Sequence, residues 1–330
     1  LVGDPNVIGF AGPCRFDVSG RILSAEAALN GRFLDGITDL NASPPNRELS
    51  DAAFDATFIH EFGHFSGLDH SQINVNCLGG CSVDDLEGLP TMFPKLLSDE
   101  MRTLAPDDIA WISSLYPDPT TFATTFGTIE GTIFFSDGQT PAQGVNVIAR
   151  QVDDPATTTI DESKRNAVSA VSGFFFRADH GNTALGRAAT NFGSGDVSFA
   201  GTFEIPGLAP GMYTVEIETL NAAFTGGSSV GPIGDDRNVQ ISLPGPAEFY
   251  DNAESNSDTP AAFSTVSVTA GIATTGIDII VNGTGLRFDT FESAVARNDS
   301  TAAATPLDNG THAASLSPFI SLGDVDVYAI

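Results

Sequence analysis

Two kinds of hydrophobic spacing divide this chain near residue 120. Upstream the spacing is helical. Phe54, Phe58, Phe62 and Phe65 recur at steps of four, four and three, which makes one apolar stripe. Thr57, His60, Glu61, His64 and Leu68 make a second stripe on the other side. Ser50 suits the N-cap of this helix, and Asp51 falls in the first turn, where the helix dipole favours an anion. The expectation is a core helix whose phenylalanine face is buried and whose polar face borders a cleft. A second helix is predicted in LAPDDIAWISSLYP at 104–117. Pro106 suits its first position, Asp107 and Asp108 suit its amino end, and Ile109, Ile112, Leu115 and Tyr116 mark its apolar face. NVIGFA at 6–11 reads as a strand, whereas RILSAEAALNGRF at 21–33 stays open between strand and helix.

Beyond Pro117 the period changes. PDPTTFATTFG at 117–127 reads as a Thr/Pro-rich linker. GTIEGTIFFSDGQTPAQGVNVIARQV at 127–152 then gives short β-branched and aromatic runs parted by DG and PAQG turns. SGFFF at 172–176, TFEIPGLAPGMYTVEIETL at 202–220 and TGIDIIVNG at 275–283 continue the pattern, which predicts an antiparallel β-sandwich with a core of its own. Residues 153–200 read as a polar insertion within it.

The chemistry is concentrated in HEFGHFSGLDH at 60–70. His60 and His64 project from one helix face a turn apart, so both can reach one ion. Glu61 sits about 100° round from His60, beside the metal rather than on it. Gly67 falls where the helix needs a left-handed residue to stop and turn, which brings His70 back as a third ligand. Three protein ligands leave a fourth position for water, the arrangement of a catalytic zinc. A lone HExxH is weak, but chance matches to five specified positions in eleven arise on the order of once in thousands of such chains.

These residues resemble the zinc motif of the metzincins, and the letters around them, with Ser71 following His70, resemble the matrixin branch. LPTMFP at 89–94 is similar to the methionine turn of that family, with Met92 beneath the metal and not a ligand. The 104–117 segment is similar to the closing helix of matrixin catalytic domains. The resemblance implies that Phe93 to about Asp107 walls the pocket for the side chain just after the scissile bond. Leu96 departs from it, standing where many matrixins carry tyrosine. Only 59 residues precede His60, so the expectation is a catalytic domain lacking its first strand and helix, with no propeptide. Downstream, the order of strands resembles the carboxypeptidase-regulatory-like (transthyretin-like) sandwich. The stretch from about Leu286 resembles the opening of a bacterial pre-peptidase C-terminal domain, cut short.

The expected architecture is therefore multidomain: an α+β metzincin catalytic domain at 1–119, incomplete at its amino end; an all-β sandwich at 120–285 with an insertion near 153–200; and a partial β domain at 286–330. Cys77 and Cys81 flank LGG in the loop between His70 and Met92 and are candidate disulfide partners; pairing of either with Cys14 is the competing arrangement. GPCRF at 12–16 superficially resembles an inhibitory propeptide cysteine, but it lies inside the apparent catalytic domain and lacks the rest of that motif. His180 and His312 stand in no ligand-spaced motif, and Asn-x-Ser/Thr triplets occur at Asn41, Asn282, Asn298 and Asn309.

Forty-two acidic against fourteen basic residues give a net charge of −28, spread along the whole chain. That balance argues against nucleic acid and anionic membranes as partners and suits a secreted protein. No run of eighteen apolar residues exists, so no membrane span is expected. The function implied is a secreted or cell-surface zinc metalloendopeptidase acting on proteins or peptides. Glu61 would be its general base and His60, His64 and His70 its Zn²⁺ ligands, while the sandwich stays open among spacer, adhesion and docking to substrate, matrix or cell surface. Ca²⁺ is a second candidate ion with no ligands assigned. The rival reading is a surface adhesin whose peptidase unit is inactive.

Overall fold

The structure, a computed structural model, describes residues 7–17, 21–38, 40–41, 45, 47–118, 120–142, 144–156, 161–173, 201–220, 243, 245–283, 305–306 and 328–329. Its class is mixed α/β, with several sheets and few helices.

The amino-terminal part opens with strands β1 (Gly9–Phe16) and β2 (Ile22–Leu29), paired antiparallel from Gly9↔Leu29 to Phe16↔Ile22. Residues 22–29 thus settle as strand despite their alanines, because β1 supplies a partner for the backbone. The hairpin packs on helix α1 (Asp51–Phe65). The Ser50 side chain accepts from Ala53 N and caps this helix as its sequence predicts. Its far end closes with Leu68 N donating to Gly63 O and Gly67 N to His64 O, and Gly67 takes φ 97°. That bond pair is the Schellman arrangement, and it turns the chain back across the helix end.

The buried face of α1 is the opposite of the one expected. Ala53, Ala56, Thr57 and Glu61 are buried, whereas Phe58 and Phe62 are 53% and 56% exposed. The phenylalanines stack on one another along the outside, Phe58 on Phe62 and Phe62 on Phe65. Small and polar side chains face inward because the chain after His70 must approach α1 closely. There, α2 (Val83–Glu87) and the turn at 89–94 lead to α3 (Pro106–Leu115). On α3, too, Ile109 and Tyr116 are exposed, while Asp107, Asp108 and Ala110 are buried.

After α4 (Phe122–Thr125), two sheets stack into a sandwich. One is five-stranded: β4 (Asn146–Gln151), β5 (Ala167–Val171), β7 (Gly211–Glu218), β8 (Glu248–Phe249) and β9 (Val266–Val268). The other holds β3 (Gly127–Phe134), β6 (Thr202–Leu208), β10 (Ala273–Thr274) and β11 (Ile279–Ile280). It is not purely antiparallel: β3 pairs antiparallel with β6 but parallel with β10 and β11. Ile129, Ile133, Ile205 and Ile279 from one sheet meet Val147, Val215 and Ile217 from the other in one apolar core.

Two expectations fail here. Within the stretch read as a polar insertion, α5 (Glu162–Arg165) leads into β5, whose Val168 and Ala170 belong to that core. Nor does the sandwich keep a core to itself. Ala110 is buried in the sandwich core with Trp111 packed against it, and Leu220 is buried with Ala56, Phe93 and Met101. Phe174–Phe176, His180, His312, Asn298 and Asn309 lie outside the described residues, as does most of 286–330. From that last stretch only β12 (Thr305–Pro306) and β13 (Tyr328–Ala329) are described, paired parallel.

Candidate metal centre

Helix α1 and the turn that ends it bring His60, His64 and His70 together. Their Nε2 atoms stand 3.1 Å (His60–His64), 3.1 Å (His64–His70) and 3.2 Å (His60–His70) apart. His60 Nδ1 donates to the Thr91 carbonyl at 2.7 Å and His64 Nδ1 to the Leu68 carbonyl at 2.8 Å. With the proton held on Nδ1, each Nε2 presents a lone pair. Lone pairs converging at this separation repel one another unless a cation lies among them. A tetrahedral ion with about 2.0–2.1 Å bonds to imidazole sets its ligand nitrogens about 3.3–3.4 Å apart, close to what is found. Burial, with His64 adding repulsion, pulls the His60 pKa down to about 4; burial likewise lowers His64 and His70. All three imidazoles are therefore neutral near pH 7, the form that ligates. Among the described residues, this is the one cluster of three or more such side chains that could hold a metal ion.

Glu61 lies next to the cluster and is 7% exposed. Its Oε2 is buried with no hydrogen-bond partner, and burial raises its pKa to about 7. It stands clear of the three-nitrogen set, as its helical position predicts.

Met92 is buried beneath the helix, and its Sδ would lie 2.2 Å from a Cβ placed on Gly63. The thioether therefore occupies the space a side chain at position 63 would fill, between the two helical histidines. The turn that carries Met92 is held by Asp108: Oδ1 accepts from Met92 N at 3.0 Å and Oδ2 from Thr91 N at 2.8 Å. Ser71 N donates to Met92 O, tying the residue after His70 to the same turn.

Beside His60 and Glu61 opens a cavity of about 460 Å³. Its apolar lining includes Ile8, Ala56, Phe93, Leu96, Leu97 and Met101, with Lys95 also on the wall. The segment after Phe93 does wall a pocket here. Val7, Ile8 and Gly9 contribute as well, which no motif signalled.

Cys77 and Cys81 are joined in a disulfide between His70 and Met92, and Cys14 is a free, exposed thiol. Of the asparagines in glycosylation triplets, Asn41 is exposed. Asn282 is 6% exposed and its amide donates to Glu248 and Asp258, so that triplet is closed to modification in the folded chain. No helix among the described residues is long and apolar enough to cross a membrane.

Thr91, through its carbonyl, and Asp108 are the supporting residues that sequence reasoning missed. An aspartate pair at a helix amino end signals a favourable dipole, and nothing local in the letters says that both carboxylates are buried or that Asp108 holds a distant turn. In comparison with known proteins, no family model matches this chain, and no curated protein does.

Proposed function

We propose that this chain is a secreted zinc-dependent metalloendopeptidase of the matrixin-like metzincin kind. The observation that carries the reading is the convergence of three neutral imidazole nitrogens beside a buried, unpartnered carboxylate at the mouth of an apolar cavity. Zinc suits three imidazoles better than Mg²⁺ or Ca²⁺, which favour oxygen ligands. When bound, zinc supplies a Lewis acid that polarises a peptide carbonyl and makes water more acidic.

The protein's own residues do the rest. Glu61 Oε2 accepts the proton of the attacking water and returns it to the leaving amine. Burial and the absence of a hydrogen-bond partner leave this oxygen free to take and return a proton. Thr91 O and Leu68 O fix the tautomer and ring orientation of His60 and His64. The cavity seats an apolar substrate side chain next to the scissile bond. The Cys77–Cys81 disulfide fits an oxidising compartment, which supports secretion.

Glu61→Gln separates this reading from a metal-binding or adhesive role. The variant should keep about one zinc per chain while peptide cleavage falls at least about 10²-fold. Unchanged turnover, or zinc still bound tightly after His60, His64 and His70 are all replaced by Ala, would sink it.

A further inference from the structure

A second buried polar network lies where α3 meets the sandwich. β5 ends the five-stranded sheet, so among the described residues no strand pairs with its outer side. At Ser169 that gap is filled by side chains of α3. Ser169 N donates to Asp107 Oδ1 at 2.8 Å, and Ser169 O accepts from Trp111 Nε1 at 2.7 Å. An edge strand that would otherwise leave donors and acceptors bare is thus closed by a helix. The hydroxyl of Ser71, the residue after His70, counters part of the upward push that burial gives the Asp107 pKa. Asp108, one residue on, faces the other way and holds the backbone of Thr91 and Met92. Asp107 and Asp108 are 4% and 1% exposed, so each depends on the donors the protein supplies.

Apolar and ionic contacts fix the same joint. A Cβ on Gly207 of β6 would lie 2.6 Å from Ala110 Cα, so strand and helix touch backbone to backbone. Ile73, just beyond the third histidine, is buried with Ile148 of β4 and Ala167 of β5. Leu220, after β7, is buried with Phe93 and Met101, which line the cavity. Lys164 pairs with Asp85, and Arg165 with Asp84 and Glu87.

We propose that the sandwich is a positioning part of the metal centre: the β5 edge, gripped at Ser169 by Asp107 and Trp111, seats α3 so that Asp108 steadies the turn under the metal, to which the Ser71 amide next to His70 is tied. This rests on the peptidase reading for its kinetic consequences but not for its effect on the metal. It opposes the view, natural from the linker, that the sandwich could be removed with short-peptide cleavage left intact.

The test uses the full chain with Trp111→Phe, Asp107→Ala and Asp107→Asn. Trp111→Phe deletes one hydrogen bond and keeps an aromatic ring. Three quantities are read: kcat and KM on a peptide too short to touch the sandwich, the visible spectrum of the cobalt(II)-substituted site, and the rate of metal loss to a chelator. Asp107→Ala should lower kcat at least about 10-fold with KM within about twofold, shift the cobalt bands and speed metal loss about 10-fold or more, with part of each recovered in Asp107→Asn. Trp111→Phe should move all three in the same direction by about 3-fold to 10-fold. If hydrogen exchange shows the Ser169 amide deprotected while kcat, cobalt spectrum and metal loss match the parent, the joint is only mechanical and the proposal falls.

Should the Asp107 variants fail to fold, a second experiment decides. A specific protease site is placed at 118–121 of the full chain and cut after folding. The two pieces should stay associated on gel filtration with activity retained. Separation into an amino-terminal piece with parental turnover and metal retention would overturn the proposal. A failed peptidase reading shows itself differently, as cleavage that survives Glu61→Gln, and it leaves the cobalt and chelator results standing.

Discussion

Asp108 offers the sharpest check on how the three-histidine site is held. Its carboxylate is 1% exposed and accepts three backbone N–H bonds: from Thr91 at 2.8 Å, Met92 at 3.0 Å and Ala105 at 2.8 Å. Asp108→Ala strands all three donors. A buried donor left without a partner costs about 1–3 kcal/mol, so the gross loss for three is about 3–9 kcal/mol. Relief from burying a carboxylate, which burial here pushes above its ordinary pKa, offsets part of it. The net expectation is about 3 kcal/mol, a large fraction of the roughly 5–15 kcal/mol a domain possesses. Asp108→Asn should fall between. One amide oxygen can serve either Met92 or the Thr91–Ala105 pair, while the NH₂ group faces a donor on the other side. Trp111 is the only tryptophan of the chain and lies on the same helix, so its fluorescence reports the transition directly. Urea unfolding of the metal-free full chain should show a lower midpoint at unchanged slope. Loss of metal should quicken in parallel, because the Thr91 carbonyl orients His60. A loss below about 1 kcal/mol at constant slope would mean that the turn satisfies its own amides and that Asp108 does not hold it.

Two further outcomes follow from other contacts. Gly63→Ala sets a methyl group against Met92 Sδ, within 2.2 Å before relaxation, and should cost about 1–3 kcal/mol in thermal or urea unfolding; adding Met92→Ala should recover part of that loss, and strictly additive effects would refute the contact. Glu218 on β7 has its pKa raised to about 7, by burial first and by Glu216 second, with Asn146 and Arg150 opposing. A carboxyl raised in the folded state contributes stability at low pH that is lost as pH climbs from the ordinary value of about 4.5 through about 7. Glu218→Gln should therefore leave stability near pH 4 unchanged and raise it by about 1–2 kcal/mol at pH 8, solvent screening having reduced the full linkage value. An equal effect at both pH values would exclude titration as its cause.

How much of this was legible in the letters depends on sequence distance. The three histidines were, because α1 and its Schellman turn place them by local periodicity alone, four and six residues apart. The glutamate beside them followed from the same geometry. What supports them did not. Thr91 reaches His60 across 31 residues and Asp108 reaches Thr91 across 17, through backbone groups that carry no side-chain signal. The buried face of α1 differs from its sequence expectation for a related reason. Phenylalanines at helical spacing normally mark the core, but here the Met92 turn requires α1 to present Gly63 and small or polar neighbours inward. The apolar stripe was left outside.

The same reasoning explains why the boundary near residue 120 misled. A change from helical to alternating spacing records what each segment must bury locally, and it was read correctly for β3, β4, β6 and β7. It says nothing of whether two cores are separate. That is decided by the leftover polar groups, and β5 is the instructive case. Its short run AVSAV lies among polar residues and reads as insertion, yet it is an edge strand whose outer backbone needs partners. α3 supplies them through Asp107 and Trp111, while Asp108 turns to the amides of Thr91 and Met92; both carboxylates are buried and Ile109 and Tyr116 face outward. Read as an isolated amphipathic helix, LAPDDIAWISSLYP should do the reverse. The inversion makes physical sense only with the sandwich in place, because a buried carboxylate without the Ser169 amide would lose one of the few donors that make its burial tolerable. The segment that reads as the end of one domain is, by its hydrogen bonds, joined to the sandwich.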